Sequence, residues 1–181
     1  MKKKITLTII CAVLSCVCLI GTTFAWLVDK TDPVKNTFTV GDINIDLTES
    51  DDLDLKMVPG TTITKDPIVT VEAGSEACWL FVKVEKSANF DTYMTYSPAA
   101  GWDVFETETN YVIYSRKVSY DKDNNQDFAV LLNNEVNVKE SVTKAQLETA
   151  KINAPTLTFT AYAVQQEGVA TAADAWAIAN P

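Results

Sequence analysis

The chain contains no histidine. That absence removes the His-assisted serine and cysteine triads, the HExxH zinc proteases and nearly all common catalytic zinc sites. Cysteine is scarce where it would count: Cys11, Cys16 and Cys18 lie in an N-terminal apolar run, which leaves Cys78 alone. One thiol cannot make an internal disulfide, so a cysteine-stapled small fold is excluded. Cys78 falls in the apolar row of an alternating stretch, where a thiol reads as inert core rather than nucleophile. No GxGxxG or other phosphate-cradling loop occurs, so nucleotide chemistry has no foothold. A basic surplus is also missing, with 15 Lys and Arg against 24 Asp and Glu. This balance discourages binding to nucleic acid and to anionic membranes, and leaves cations or basic partners open. No internal repeat is visible. No apolar span, basic tail or LPxTG-like sorting signal precedes Pro181, so a chain freed of its leader is expected to carry no anchor. Neither a catalytic residue nor a metal site nor a cofactor is expected.

What is present begins with an address. Met1-Lys2-Lys3-Lys4 is a short basic n-region and Ile5 to Ile20 an apolar h-region. Its 16 residues would rise only ~24 Å as a helix, short of the ~30 Å hydrocarbon core. Signal peptidase needs small side chains one and three residues before its cut, and Ala25 and Thr23 supply them just ahead of Trp26. Residues 1–25 therefore read as a signal peptide, residues 26–36 as a flexible N-terminal segment, and residues 37–181 as the folded domain. An uncleaved anchor, with the helix continued through Val28, is the alternative; there the leader would be the chain's membrane contact. A lipoprotein cut before Cys16 is a further option, although Leu14 is bulky for a lipobox. Cleavage after Ala25 removes three of the basic residues and no acidic one, which leaves 12 against 24 and a formal charge of −12. The remaining ~156 residues suffice for one domain with a real core.

The rest reads as strands. From Thr37 apolar residues alternate, Phe38 and Val40 on one parity and Ile43, Ile45 and Leu47 on the other, with the slip at Gly41-Asp42. A glycine at a phase slip predicts a bulge or bend. Glu49 to Asp54 is an acidic loop and Pro59-Gly60 a type II turn signal. Thr62 to Val71 reads as one strand that Pro67 confines to an edge or irregular position. Cys78 to Glu85 carries the strongest alternation: Cys78, Leu80, Val82 and Val84 face one way, Trp79, Phe81, Lys83 and Glu85 the other. Further β-like pieces fall at Tyr93–Tyr96, Trp102–Phe105, Tyr111–Tyr120, Phe128–Leu132 and Thr156–Val164. A capping box at Thr143…Gln146 and the pair Thr171…Asp174 predict two short helices, Lys144–Lys151 and Thr171–Ala179. Many short strands, frequent turns and little helix predict an all-β fold, an antiparallel β-sandwich, of jelly-roll or immunoglobulin-like topology.

Three constellations could carry chemistry. Asp121, Asp123 and Asn125 have the spacing of a calcium loop, but Gln126 stands where glycine is needed and Leu132 where glutamate is, so a polar hairpin loop is the expected reading. Asp51, Asp52 and Asp54 read as a solvated loop. Trp79, Trp102 and Trp176 could form a sugar platform, although sandwich cores use tryptophan more often.

Two blocks, TFAWLVDKTDPVKNTFTVGDINIDL and VPGTTITKDPIVTVEAGSEACWLFVKVE, together with TLTFTAYAVQQEG and its following Ala-Trp segment, resemble the TasA/camelysin family of Gram-positive bacteria. The resemblance implies export through the specialised signal peptidase SipW, with Thr23, Ala25 and Trp26 matching the cleavage junction and Pro59-Gly60 and Lys65 the turn and strand beyond it. It also implies a jelly-roll sandwich and a place in biofilm-matrix fibres, where the N-terminal segment of one subunit completes the sheet of the next. Trp26, Leu27 and Val28 would then begin the donor strand, and the partners would be further copies or a related matrix subunit. The alternative is a monomeric secreted or surface module binding glycan or protein. A camelysin-like metallopeptidase stands third, since no histidine is available to hold zinc.

Overall fold

The strand from Cys78 to Lys86 is buried on both faces, and the molecule is layered around it. The computed structural model describes residues 42–50 and 56–179. The strands are β1 (Ile45–Thr48), β2 (Thr62–Thr64), β3 (Ile68–Val71), β4 (Cys78–Lys86), β5 (Met94–Thr95), β6 (Asp103–Thr107), β7 (Tyr111–Val118), β8 (Gln126–Ala129), β9 (Glu135–Val138) and β10 (Leu157–Gln165). Three short helices join them: α1 (Phe90–Tyr93), α2 (Lys144–Ala150) and α3 (Ala172–Ala179). The strands form three antiparallel sheets, ordered β10-β4-β7-β6, β1-β3-β8 and β2-β9-β5. The expected antiparallel sandwich is therefore present.

Alternation explains the layers. Cys78, Leu80, Val82 and Val84 meet Val69 and Val71 of β3, Val136 and Val138 of β9 and Tyr114 and Val118 of β7 in the main core. The two smaller sheets thus make one layer and the four-stranded sheet the other, as apolar faces of period two require. Phe81 points the opposite way, into a second cluster with Ile113, Phe105, Tyr162 and Trp176. There α3 lies on the outer face of the sheet, and Trp176 packs 5.2 Å from the rings of both Phe81 and Tyr162. Two-sided burial of β4 is the reason that this short, alanine-rich helix exists as a third layer.

Local signals hold where they were strongest. Gly60 takes φ +78° and the Thr61 amide donates to the Val58 carbonyl at 3.1 Å, the geometry of a type II turn. Thr143 closes its capping box: its Oγ1 accepts from the Gln146 amide and its own amide donates to Gln146 Oε1. Thr171 Oγ1 likewise accepts from the Asp174 amide at the start of α3.

Two expectations need correction. Thr62–Val71 is not one strand but two, β2 and β3, in different sheets. The break falls at Lys65-Asp66-Pro67, because proline brings no N–H to a ladder and fixes its own φ; Pro67 instead is buried and its carbonyl accepts from the Val130 amide. The second is β9, which is absent from the expected strands although Val136 and Val138 alternate. It follows Asn133 and Asn134, both left-handed at φ 56°, a kink that separates it from the apolar run before it. The cleavage residues Thr23 and Ala25, the segment with Trp26, Leu27 and Val28, the Gly41 slip and the Asp51, Asp52, Asp54 loop lie outside the described residues.

Core dependence is testable at β4. Leu80 is fully buried, so Leu80→Ala should cost ~2–5 kcal/mol in chemical denaturation, while Lys117→Ala on the exposed strand surface should stay within ~0.5 kcal/mol. Equal effects from the two changes would contradict the layering.

Candidate functional site

The hydrogen-bond ladder between β4 and β10 decides which way the backbone of β10 points. Gln166 donates to the Ala77 carbonyl and Ser87 to the Thr156 carbonyl, and the register runs without a slip between those two pairs. Even-numbered residues of β10 therefore bond to β4. The N–H and C=O groups of Leu157, Phe159, Ala161, Ala163 and Gln165 point away from it. β10 ends its sheet, and those outward groups have no backbone partner among the described residues. It is a nine-residue strand, long for an edge, where proteins usually place short or blunted strands.

The other margins are managed. On β1 the outward amide of Leu47 is taken by the Asp46 carboxylate at 2.9 Å. β6 carries an irregularity between Val104 and Glu106, which twists an edge away from pairing. Beyond β8 the chain is tied to the segment after β5, with Ala99 donating to Val130 and Leu132 to Ser97. Among the described residues, β10 is the long margin without such protection.

Beside the start of β10 lies an apolar groove of about 330 Å³ lined by Met57, Ile63, Phe90, Met94, Val136 and Leu157, with Lys65 on its wall. A second hollow of about 260 Å³ adjoins it through Leu157 and reaches Leu47, Glu49, Pro67 and Phe159. Lys65 forms an ion pair with Glu49, and its ammonium stands 5.6 Å from the Phe159 ring centroid. The arrangement offers unpaired backbone groups along one line and apolar space at its end. That suits an extended peptide better than a reaction.

The constellations singled out in the sequence behave as structure. Asp121 turns its carboxylate onto its own loop, accepting from the amides of Asp123 and Asn124 at 3.0 and 3.1 Å. Those bonds hold it below the usual carboxylate range. Asn125 Oδ1 accepts from the Ala73 amide, so the spacing serves a hairpin loop. The three tryptophans share no platform. Trp102 is buried in the main core with its indole N–H on the Ala129 carbonyl. Trp79 and Trp176 belong to the cluster on the opposite face of the sheet. Cys78 is buried without a partner thiol, and burial pushes it up to about 11.

The free margin was missed because periodicity finds a strand but not its neighbours. Its one local trace is the pair Ala161 and Ala163, small side chains on the core-facing row of an otherwise bulky strand.

Cys78 yields a pH test. A thiol raised in the folded state adds stability that is complete below its unfolded value near 9 and is lost as pH rises through about 11. Native protein at pH 8 should resist alkylation and denatured protein should react; rapid native labelling would place the thiol outside the core.

Residues 1–76 match the family model described as camelysin metallo-endopeptidase. No curated protein and no solved structure matches the chain.

Proposed function

From the match of residues 1–76 to the camelysin family model and the resemblance to the TasA/camelysin family, we propose that this is a secreted structural protein, a subunit or accessory of an extracellular matrix or cell-surface fibre. Copies join by strand complementation. The segment 26–36, led by Trp26, Leu27 and Val28, is the donor, and the free margin of β10 is the acceptor. One observation carries this reading: the five outward-facing residues from Leu157 to Gln165, unpaired among the described residues. An added strand would satisfy those groups, and its apolar side chains could enter the space beside Leu157. A donor on one end and an acceptor on another make a head-to-tail contact that does not close, so the product is a filament. Export by signal peptidase, with the cut after Ala25, supplies the free donor end.

Two changes test the acceptor. Ala161→Pro removes an outward N–H and spares the ladder to β4, so the fold should persist while fibres disappear in electron micrographs. Thr160→Pro, one residue earlier, removes a ladder bond and should unfold the sheet. Deletion of residues 26–36 should likewise leave single particles; fibres formed by the deletion protein would end the proposal. The alternative of a monomeric binding module draws on the apolar groove, whose volume suits a small ligand, and predicts single particles at every concentration.

The family description favours a second reading, a metallopeptidase. Its donor set does not fit the metal. Zinc sites draw on His, Cys and carboxylates, the chain has no histidine, and the one thiol beyond the leader is buried and hard to ionise. Among the described residues no three Asp, Glu or Cys side chains converge. Purified protein is expected to leave casein intact with added zinc; chelator-sensitive cleavage would establish the peptidase.

A further inference from the structure

Arg116 is the chain's single arginine; every other basic residue is lysine. It stands on β7 in the row that faces the main core, since its neighbours in that row, Tyr114 and Val118, are core residues. Its position is the margin opposite β10, where β6 ends one layer and β8 ends the other. The guanidinium lies over two rings, 3.8 Å from the centroid of Phe128 and 5.2 Å from that of Trp102. Gly101, at φ +86°, lets the backbone come close: a Cβ there would stand 3.3 Å from one terminal nitrogen.

Among the described residues no acid pairs with this cation. All four ion pairs among the described residues use lysine. Asp127, next in sequence to Phe128, accepts from the Thr70 hydroxyl at 2.7 Å. Nε of Arg116 is buried without a hydrogen-bond partner, while its terminal nitrogens are neither buried nor hydrogen-bonded to any described residue. Desolvation lowers its pKa, and a desolvated charge without a counter-charge is costly. In a chain with 24 acidic residues this isolation calls for a reason. Lysine could not replace it: only a planar guanidinium rests its face on rings while its edge keeps a fork of N–H donors.

We propose that Arg116 is a carboxylate-binding site, its ring-supported fork open at the β6–β8 margin. A carboxylate matches that fork with two parallel bonds. Two sources carry the chemistry, an acidic side chain on a second copy and a free carboxylated ligand. The proposal stands on a different margin from the fibre reading and does not depend on it.

Because the arginine is unique, its Nε–H gives one assignable NMR signal in ¹⁵N-labelled processed protein. Dilute protein titrated with acetate should show saturable shifts of that signal and of the Trp102 indole signal. Chloride at matched ionic strength should not reproduce them. In Arg116→Lys the Trp102 response should be lost. If raising the protein concentration alone produces the same shifts, and acetate reverses the association, the second copy is the source. Shifts that need added acetate assign a free ligand. Equal response to acetate and chloride, or none in either series, would reduce Arg116 to a filler of the sandwich margin and overturn the proposal. Should Arg116→Lys fail to fold, the wild-type acetate and chloride series decide alone.

Discussion

Burial of both faces of β4 is the constraint from which the remaining structure follows. Leu80 and Phe81 are adjacent in sequence, point in opposite directions and are both fully buried. A strand of that kind needs cover above and below. The two smaller sheets supply one cover, and α3 with Trp176 supplies the other. The central place goes to β4 because it is long and buries side chains on both sides, with β7 on one flank and β10 on the other. β10 has its apolar row turned to the same core but, among the described residues, pairs with β4 alone, which makes it a margin. The candidate acceptor is thus a consequence of how the core is filled, and no local sequence feature needs to encode it.

How much could be read in advance follows from the range of each signal. The two rows of β4, the Pro59-Gly60 turn and the capping box at Thr143 are written within a few residues, and each is found where the sequence places it. Pro67 announced an interruption, but whether the chain resumes in the same sheet depends on partners distant in sequence, Val136 for Ile63 and Ala129 for Ile68. β9 is four residues long, too short for alternation to stand out beside two left-handed asparagines. The site is less legible than the fold. A free edge is defined by the absence of a neighbour, and the surroundings of Arg116 are gathered from Gly101, Trp102 and Phe128 on separate elements. Composition did carry one clue, the single arginine, whose meaning appears only once its rings are in place.

The chemistry that the chain lacks and the geometry that it has point the same way. Without histidine, and with its remaining thiol in the core, it has little means of moving protons or holding a transition metal near neutral pH. What it offers instead is directional and static: a line of backbone donors and acceptors, an apolar groove and a fork of N–H groups. On the readings proposed above, each is a surface for a partner.

A strongly acidic chain is at first sight a poor candidate for self-association, and the distances involved resolve this. At physiological ionic strength charges farther apart than about 8 Å are largely screened, so net charge adds little to the approach of two copies, and repulsion at contact is set by the charges that lie at the seam itself. Backbone pairing acts only at hydrogen-bond range and in one orientation, and net charge therefore discriminates against disordered clumping more than against an added strand. The Glu49–Lys65 pair sits beside the groove, so local charge there is already balanced where an incoming segment would enter. In the proposed assembly, acidity elsewhere on the chain and an uncharged β10, from Leu157 to Gln165, would keep copies dispersed and still leave one margin selective for an added strand.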